Sequence, residues 1–149
     1  MHTLRRIFRR SLWLSSVSAA VLLAAGCAPM PSPPPSGSNV QLSGSQEVPP
    51  VNTTATGSGI LTVVMDRSMS GTVTTSGIAG TAAHIHLGAA GANGPVIIPL
   101  NKTADNVWSV PSGIRLNDAQ YEAYKLGNLY VNVHSAANPN GEIRGQVKP

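Results

Sequence analysis

The sequence predicts a single all-β domain, a Greek-key-like β-sandwich or barrel of about eight short strands with one short helix. Short segments rich in Val, Ile and Thr alternate between apolar and polar residues, which is the period of strands with one buried face. Glycine, proline and asparagine separate these segments at short intervals. A single segment, Ala119 to Leu126, has the composition of a helix instead.

The first half of the domain contains three predicted strands. Val40 to Ser45 forms the first, and it ends before Pro49-Pro50, because proline lacks the amide hydrogen that a central strand needs. Gly57 to Met65 and Met69 to Ser76 follow as a hairpin rich in β-branched residues. Only a tight connection separates these two strands, so we expect them to pair with each other.

The second half contains three further strands and the helix before the C-terminal pair of strands. Asn117 or Asp118 can cap the start of the helix, and Gly127 suits the position after its end, because glycine adopts positive φ without strain. The three strands are predicted at Thr81 to Leu87, Pro95 to Leu100 and Val107 to Val110.

The C-terminal segment NLYVNVHSAANPNGEIRGQV, from Asn128 to Val147, predicts two strands joined by a turn. Asn138-Pro139-Asn140-Gly141 supplies the turn, since proline fixes φ and Asn and Gly tolerate positive φ. Apolar and polar residues alternate on both sides of this turn. The polar positions are Tyr130, Asn132 and His134 in the first strand and Glu142, Arg144 and Gln146 in the second.

These motifs resemble the CHRD domain, a module named after the extracellular signalling antagonist chordin and common in bacterial exported proteins. The resemblance depends on LYVNVHS followed by NPNGEIRGQV, with AAHIHLGAAGANGPVIIPL upstream, and covers residues 40–148. It implies an all-β extracytoplasmic domain and no agreed chemical activity.

Residues 1–26 are predicted to be a lipoprotein signal peptide. Four arginines precede an apolar stretch, Ser11 to Ala25, that is too short for a stable membrane span. Ala24-Ala25-Gly26-Cys27 resembles a lipobox, in which Cys27 becomes the lipidated first residue. An ordinary cleaved signal with an unmodified cysteine is the alternative. Arg5-Arg6 also partly resembles a twin-arginine signal, so both the general secretory route and the twin-arginine route stay open.

Residues 27–39 form a Pro/Ser-rich tether after the lipidated cysteine, because their prolines favour extended chain without a core. Ala28 directly follows the cysteine, at the position where an Asp would resemble a signal for retention in the inner membrane. We therefore expect an exported protein, anchored by lipid to the bacterial cell envelope, at the outer membrane and facing the periplasm. The expected partners are the membrane, through Cys27, and another envelope protein.

The charge of the domain excludes a nucleic-acid partner. Four of the ten Lys and Arg residues lie in the predicted signal, and the other six equal the six acidic residues in number. The mature chain is thus formally neutral, has no basic cluster and offers little aromatic surface for stacking bases. No catalytic residue is predicted, since no G-x-S-x-G motif or phosphate loop occurs.

Three histidines of the domain fall within the two motifs and form the candidate site. His84 and His86 are two residues apart on one strand, so their imidazoles emerge on one face, and His134 ends another strand. Three imidazoles suit copper or zinc. Glu142 is expected to be a fourth ligand or to orient a histidine, and Asn132 and Arg144 to support the site structurally.

Three functional hypotheses remain open. The first is a non-catalytic CHRD binding module with a histidine-based copper or zinc site. The second is a copper metalloenzyme, since the His-x-His strand loosely resembles that of the copper/zinc superoxide dismutases. The third is a purely structural envelope protein that associates through an exposed sheet edge. For the site itself, the alternative to a metal centre is a buried hydrogen-bond network of the same polar residues.

Overall fold

A computed structural model describes residues 37–149; the predicted signal, Cys27 and the tether up to residue 36 lie outside the described residues. Within residues 37–149 the chain forms nine strands, one α-helix and one turn of 3-10 helix, which confirms the predicted all-β domain. The elements are β1 (Ser38–Ser43), the 3-10 turn (Gly44–Gln46), β2 (Thr56–Val63), β3 (Met69–Ser76), β4 (Gly80–Leu87), β5 (Val96–Pro99), β6 (Asn101–Ala104), β7 (Val107–Ser109), α1 (Asp118–Lys125), β8 (Leu129–Ser135) and β9 (Ile143–Val147).

All nine strands of residues 37–149 belong to one antiparallel sheet, in the order β5-β4-β8-β9-β1-β2-β3-β7-β6. The two edge strands are consecutive in the chain, with only Leu100 between them. The Leu100 amide donates a hydrogen bond to the carbonyl oxygen of Ala83 in β4. The sheet therefore curls until its edges meet near Leu100, which gives a nearly closed barrel.

Strand β6 is the element that the sequence does not predict. All four of its residues are exposed, so they lack the apolar alternation that identifies the other strands. Its pairing with β7 is interrupted by a register shift between Lys102 and Ala104. The predicted strand Pro95 to Leu100 corresponds to β5, and the chain continues beyond Leu100 to join the opposite edge of the sheet.

The hydrophobic core fills the interior of the curled sheet. Leu61, Ile85, Leu129 and Ile143 are among its largest side chains, and each is fully buried. They come from β2, β4, β8 and β9 at positions that alternate with polar residues, as the period of two requires. The core thus occupies one face of every long strand and leaves the other face to polar side chains.

The short helix is stabilised at both ends. The Asn117 side chain accepts a hydrogen bond from the Gln120 amide, and the Gln120 side chain accepts one from the Asn117 amide, which is a capping box. Gly127 follows the helix with φ +69°. No helix among the described residues has the length and apolar character needed to cross a membrane.

Candidate metal centre

The polar face shared by β4, β8 and β9 holds most of the candidate site. His84 lies opposite Asn132 and His86 opposite Tyr130 across β4 and β8, and Asn132 lies opposite Arg144 of β9. Because alternate residues of a strand share a face, these side chains project to the side opposite the core. The pairing of β4 with β5 shifts between Ile85 and His86, an irregularity of the kind that redirects a side chain.

The structure brings the three predicted histidines together. The ring centroid of His84 lies 4.8 Å from that of His134 and 5.8 Å from that of His86. One nitrogen from each ring can be chosen so that all three lie within 4.8 Å of one another. All three residues are half-buried. Two nitrogens bound to one zinc at about 2.0 Å are at most about 4 Å apart, so the rings must move closer together to bind one ion.

Backbone carbonyl groups determine which ring nitrogens point into the cluster. Nδ1–H of His86 donates to the carbonyl oxygen of Gly94 at 2.9 Å, and Nδ1–H of His134 donates to that of Pro139 at 3.0 Å. A carbonyl oxygen only accepts, so in the neutral imidazoles the lone pair is on Nε2 of both rings. His84 Nδ1 lies 2.9 Å from His134 Nε2 and donates to it when no ion is bound.

The surroundings also favour the neutral imidazoles that metal ions bind. Burial, with repulsion from His134 and His86, lowers the pKa of His84. Burial likewise lowers the pKa of His86; the hydrogen bond to Gly94 opposes this effect, and His134 and Arg144 add to it. Both rings are therefore uncharged at neutral pH, as a metal ligand must be.

Arg144 fixes the loop that covers this face. Its guanidinium is 1% exposed and donates to the carbonyl oxygens of Ala89 and Ala92 at 3.0 and 2.9 Å. Its Cζ atom also lies 3.4 Å from the ring centroid of Tyr130. The ring of His86 stacks on the same tyrosine ring, with 4.7 Å between the two centroids. Arg144 thus holds both the covering loop and, through Tyr130, one of the three histidines.

Glu47 is a member of this network that the sequence does not identify. It is 6% exposed, and its Oε1 accepts a hydrogen bond from Nδ2 of Asn132 at 2.6 Å. Burial raises its pKa to about 7, although the positive charge of Arg144 and the amide of Val48 oppose the rise. The sequence shows only a strand that stops before Pro49-Pro50, and no periodic pattern indicates that the preceding carboxyl group is buried.

We expect Glu47→Gln to stabilise the protein at alkaline pH by about 2 kcal/mol and to change little near pH 4. The folded-state pKa of Glu47, about 7, exceeds the ordinary value of 4.5. The folded form therefore holds the proton more tightly, and the wild type loses stability as pH rises through about 7. Glutamine imitates the protonated group and removes this loss. Urea denaturation at several pH values measures the effect.

Glu122→Gln is the matched control, because Glu122 is an exposed acid whose partner is Lys125, also on α1. An exposed pair of this kind contributes less than about 1 kcal/mol. A Glu47→Gln protein with the same pH dependence as the wild type and this control would contradict the prediction.

The structure does not bring Glu142 into the histidine cluster. Its carboxylate accepts hydrogen bonds from the hydroxyl groups of Ser135 and of Thr53, the latter at 2.8 Å. These bonds and one from Asn138 lower the pKa of Glu142 against the opposing effect of burial. Glu142 therefore fixes the chain around the turn before β9, and the ligand group consists of the three histidines alone among the described residues.

The comparisons with known proteins identify one family. A family model described as CHRD domain matches residues 38–147, which include every strand of the described chain and all three histidines of the cluster. This match confirms the resemblance that the two sequence motifs indicate. A search of curated proteins and a search of solved structures each found no match.

Proposed function

The chain belongs to the CHRD domain family, and from that membership we propose that it is an exported binding module whose histidine cluster holds one copper or zinc ion. The proposed ligands are His84, His86 and His134. The proposal assigns no catalytic residue. It includes a lipid anchor on Cys27 that tethers the domain to the bacterial envelope, at the outer membrane and facing the periplasm.

One observation supports the metal site above all others: three ring nitrogens from two strands lie within 4.8 Å of one another. Burial and the neighbouring rings lower the pKa of His84 and burial lowers that of His86, which favours the neutral form that binds metal. The carbonyl groups of Gly94 and Pro139 accept from Nδ1 of two of the rings. Metal-binding histidines commonly have such a partner, which fixes the tautomer and the ring orientation.

Three histidines leave at least one coordination position for a further ligand, since zinc takes four ligands and copper four or more. Imidazole nitrogen suits both ions, and neither a thiolate nor a carboxylate belongs to the ligand group of the described residues. The proposed site therefore holds copper or zinc and has a coordination position open to a further ligand.

We expect the chain beginning at Ala28 to bind one Cu(II) or Zn(II) ion, and the His84→Ala/His86→Ala variant to bind it more weakly by over roughly 100-fold. Loss of a single partner behind a ligand costs roughly 10- to 100-fold, so loss of two ligands costs more. This form retains residues 37–149, which contain all nine described strands and the core. Isothermal titration of the untagged protein gives the stoichiometry and affinity.

Glu142→Gln is the control for the ligand group, and we expect it to keep wild-type metal affinity because Glu142 bonds to Thr53 and Ser135 instead. If the wild type binds neither ion stoichiometrically and the double variant merely unfolds at a lower temperature, the histidines are structural. Metal-dependent turnover of superoxide would instead favour the metalloenzyme hypothesis.

A further inference from the structure

A cleft of about 380 Å³ lies beside the histidine cluster. Its volume falls within the range of roughly 300–1,000 Å³ that small-molecule pockets occupy. Three separate parts of the chain contribute to it: the segment after the 3-10 turn, β4 with the loop after it, and β8 with the turn that follows it. Its walls include Pro49, His86, Asn93, Tyr130, Asn132 and Asn140.

Two buried polar atoms without a hydrogen-bond partner belong to residues that line this cleft. Among the described residues only three such side-chain atoms occur: Nε2 of His86, Oδ1 of Asn132 and Nε1 of Trp108. The first two belong to residues of the cleft wall. Asn132 is 3% exposed, and its Nδ2 already donates to Glu47, so the atom that lacks a partner is an acceptor. Burying an acceptor without a partner costs about 1–3 kcal/mol, which a ligand with a hydrogen to donate would recover.

Asn132 is close to the proposed metal position by its place in the sheet. It lies opposite His84 across β4 and β8 and two residues before His134 on the same face of β8. Directly opposite residues of paired strands have Cβ atoms about 5 Å apart. A metal held by the three histidines would use Nε2 of His86, and Oδ1 of Asn132 would then be the one acceptor without a partner among the buried side-chain atoms of the described cleft wall.

We propose that this cleft is the ligand pocket of the metal site and that Asn132 selects small amines, whose nitrogen binds the ion while its N–H donates to Oδ1. The inference rests on the proposed metal function. An ammonium group that gives one proton to solvent becomes an amine and satisfies both requirements with one atom, because its nitrogen then binds the ion through its lone pair and still has hydrogens to donate. A ligand atom without hydrogen, such as a terminal nitrogen of azide, can bind the ion but leaves Oδ1 without a partner.

The test uses the Cu(II)-loaded chain beginning at Ala28, with methylamine and azide as probes followed by visible absorption. We expect Asn132→Leu to weaken methylamine binding by about fivefold or more, the effect of losing one hydrogen bond, and to change azide binding by less than about twofold. Equal effects on both probes, or no effect on methylamine, would overturn the assignment of Asn132.

Asn140→Phe provides a second variant that does not touch the buried network, because Asn140 is exposed at the rim of the cleft. We expect its aromatic ring to obstruct the cleft and weaken both probes, with copper affinity unchanged. Unaltered binding of both probes would overturn the cleft as their route. If the wild type does not bind copper, both this inference and the proposed function are wrong. If it binds copper but the two variants do not change methylamine and azide binding as expected, only the assignment of the pocket is wrong.

Discussion

Replacement of Arg144 by methionine is expected to lower the free energy of unfolding by about 4 kcal/mol. The guanidinium is buried, and its loss removes its hydrogen bonds to the carbonyl oxygens of Ala89 and Ala92, of which Ala89 keeps only the bond from the Ala92 amide. It also removes the positive charge that opposes the rise in the pKa of Glu47. Methionine fills much of the same volume, so the expected loss reflects missing polar contacts more than a cavity. Urea denaturation followed by circular dichroism measures it.

Arg115→Met is the matched control for this variant. Arg115 also contacts an acid, Asp66, at 2.9 Å, but both side chains are more than half exposed. Exposed ion pairs contribute at most about 1 kcal/mol, so we expect a small change. If the two variants lose similar amounts of unfolding free energy, the buried hydrogen bonds of Arg144 do not stabilise the protein more than an exposed ion pair does, and the prediction is wrong.

Substitution of Gly141 by alanine is expected to cost roughly 3 kcal/mol. The residue has φ +130°, a conformation that side chains with a Cβ rarely adopt. A Cβ atom at this position would lie 2.3 Å from Nδ2 of Asn132 and 2.8 Å from Oε1 of Glu47. Both atoms belong to the buried hydrogen bond behind the cluster, so they cannot move without breaking it. Thermal and urea denaturation measure the loss.

Gly91→Ala separates the two causes, since Gly91 also has positive φ, +77°, but no atom lies within 4 Å of a Cβ built there. We expect this control to cost about 1 kcal/mol from backbone strain alone. If both alanine variants lose the same stability, the contact with Asn132 and Glu47 is without consequence.

Local patterns in the sequence predict most of the strands and the meeting of the histidines. His84 and His86 share a face because of the period of a strand, and His134 follows the same alternation in β8. The turn at Asn138 is equally local, and the Gly141 amide donates to the carbonyl oxygen of Asn138. The shared face of His84 and His86 and the turn depend on neighbours in the chain, whereas the approach of His134 depends on the pairing of β4 with β8.

The remainder of the site depends on contacts between distant residues. Thr53 bonds to Glu142 and Glu47 bonds to Asn132, pairs separated by more than eighty positions. No pattern near Glu142 reveals that its carboxylate accepts hydrogen bonds from Thr53 and Ser135, so its place in the sequence is equally compatible with a metal ligand and with a group that orients a histidine. β6 was missed for a related reason, since its residues are exposed and only the curvature of the sheet brings them to β7.

The position of β9 between β8 and β1 determines when this domain can fold. β1, the first strand of the described chain, pairs with β9, the last, and Ser43 lies opposite Arg144. Pairing of such distant segments gives a high contact order, and folding that depends on it is slow. Because β9 joins β8 to β1, the sheet remains in two separate parts, β5-β4-β8 and β1-β2-β3-β7-β6, until Ile143–Val147 has been synthesised and has paired with both.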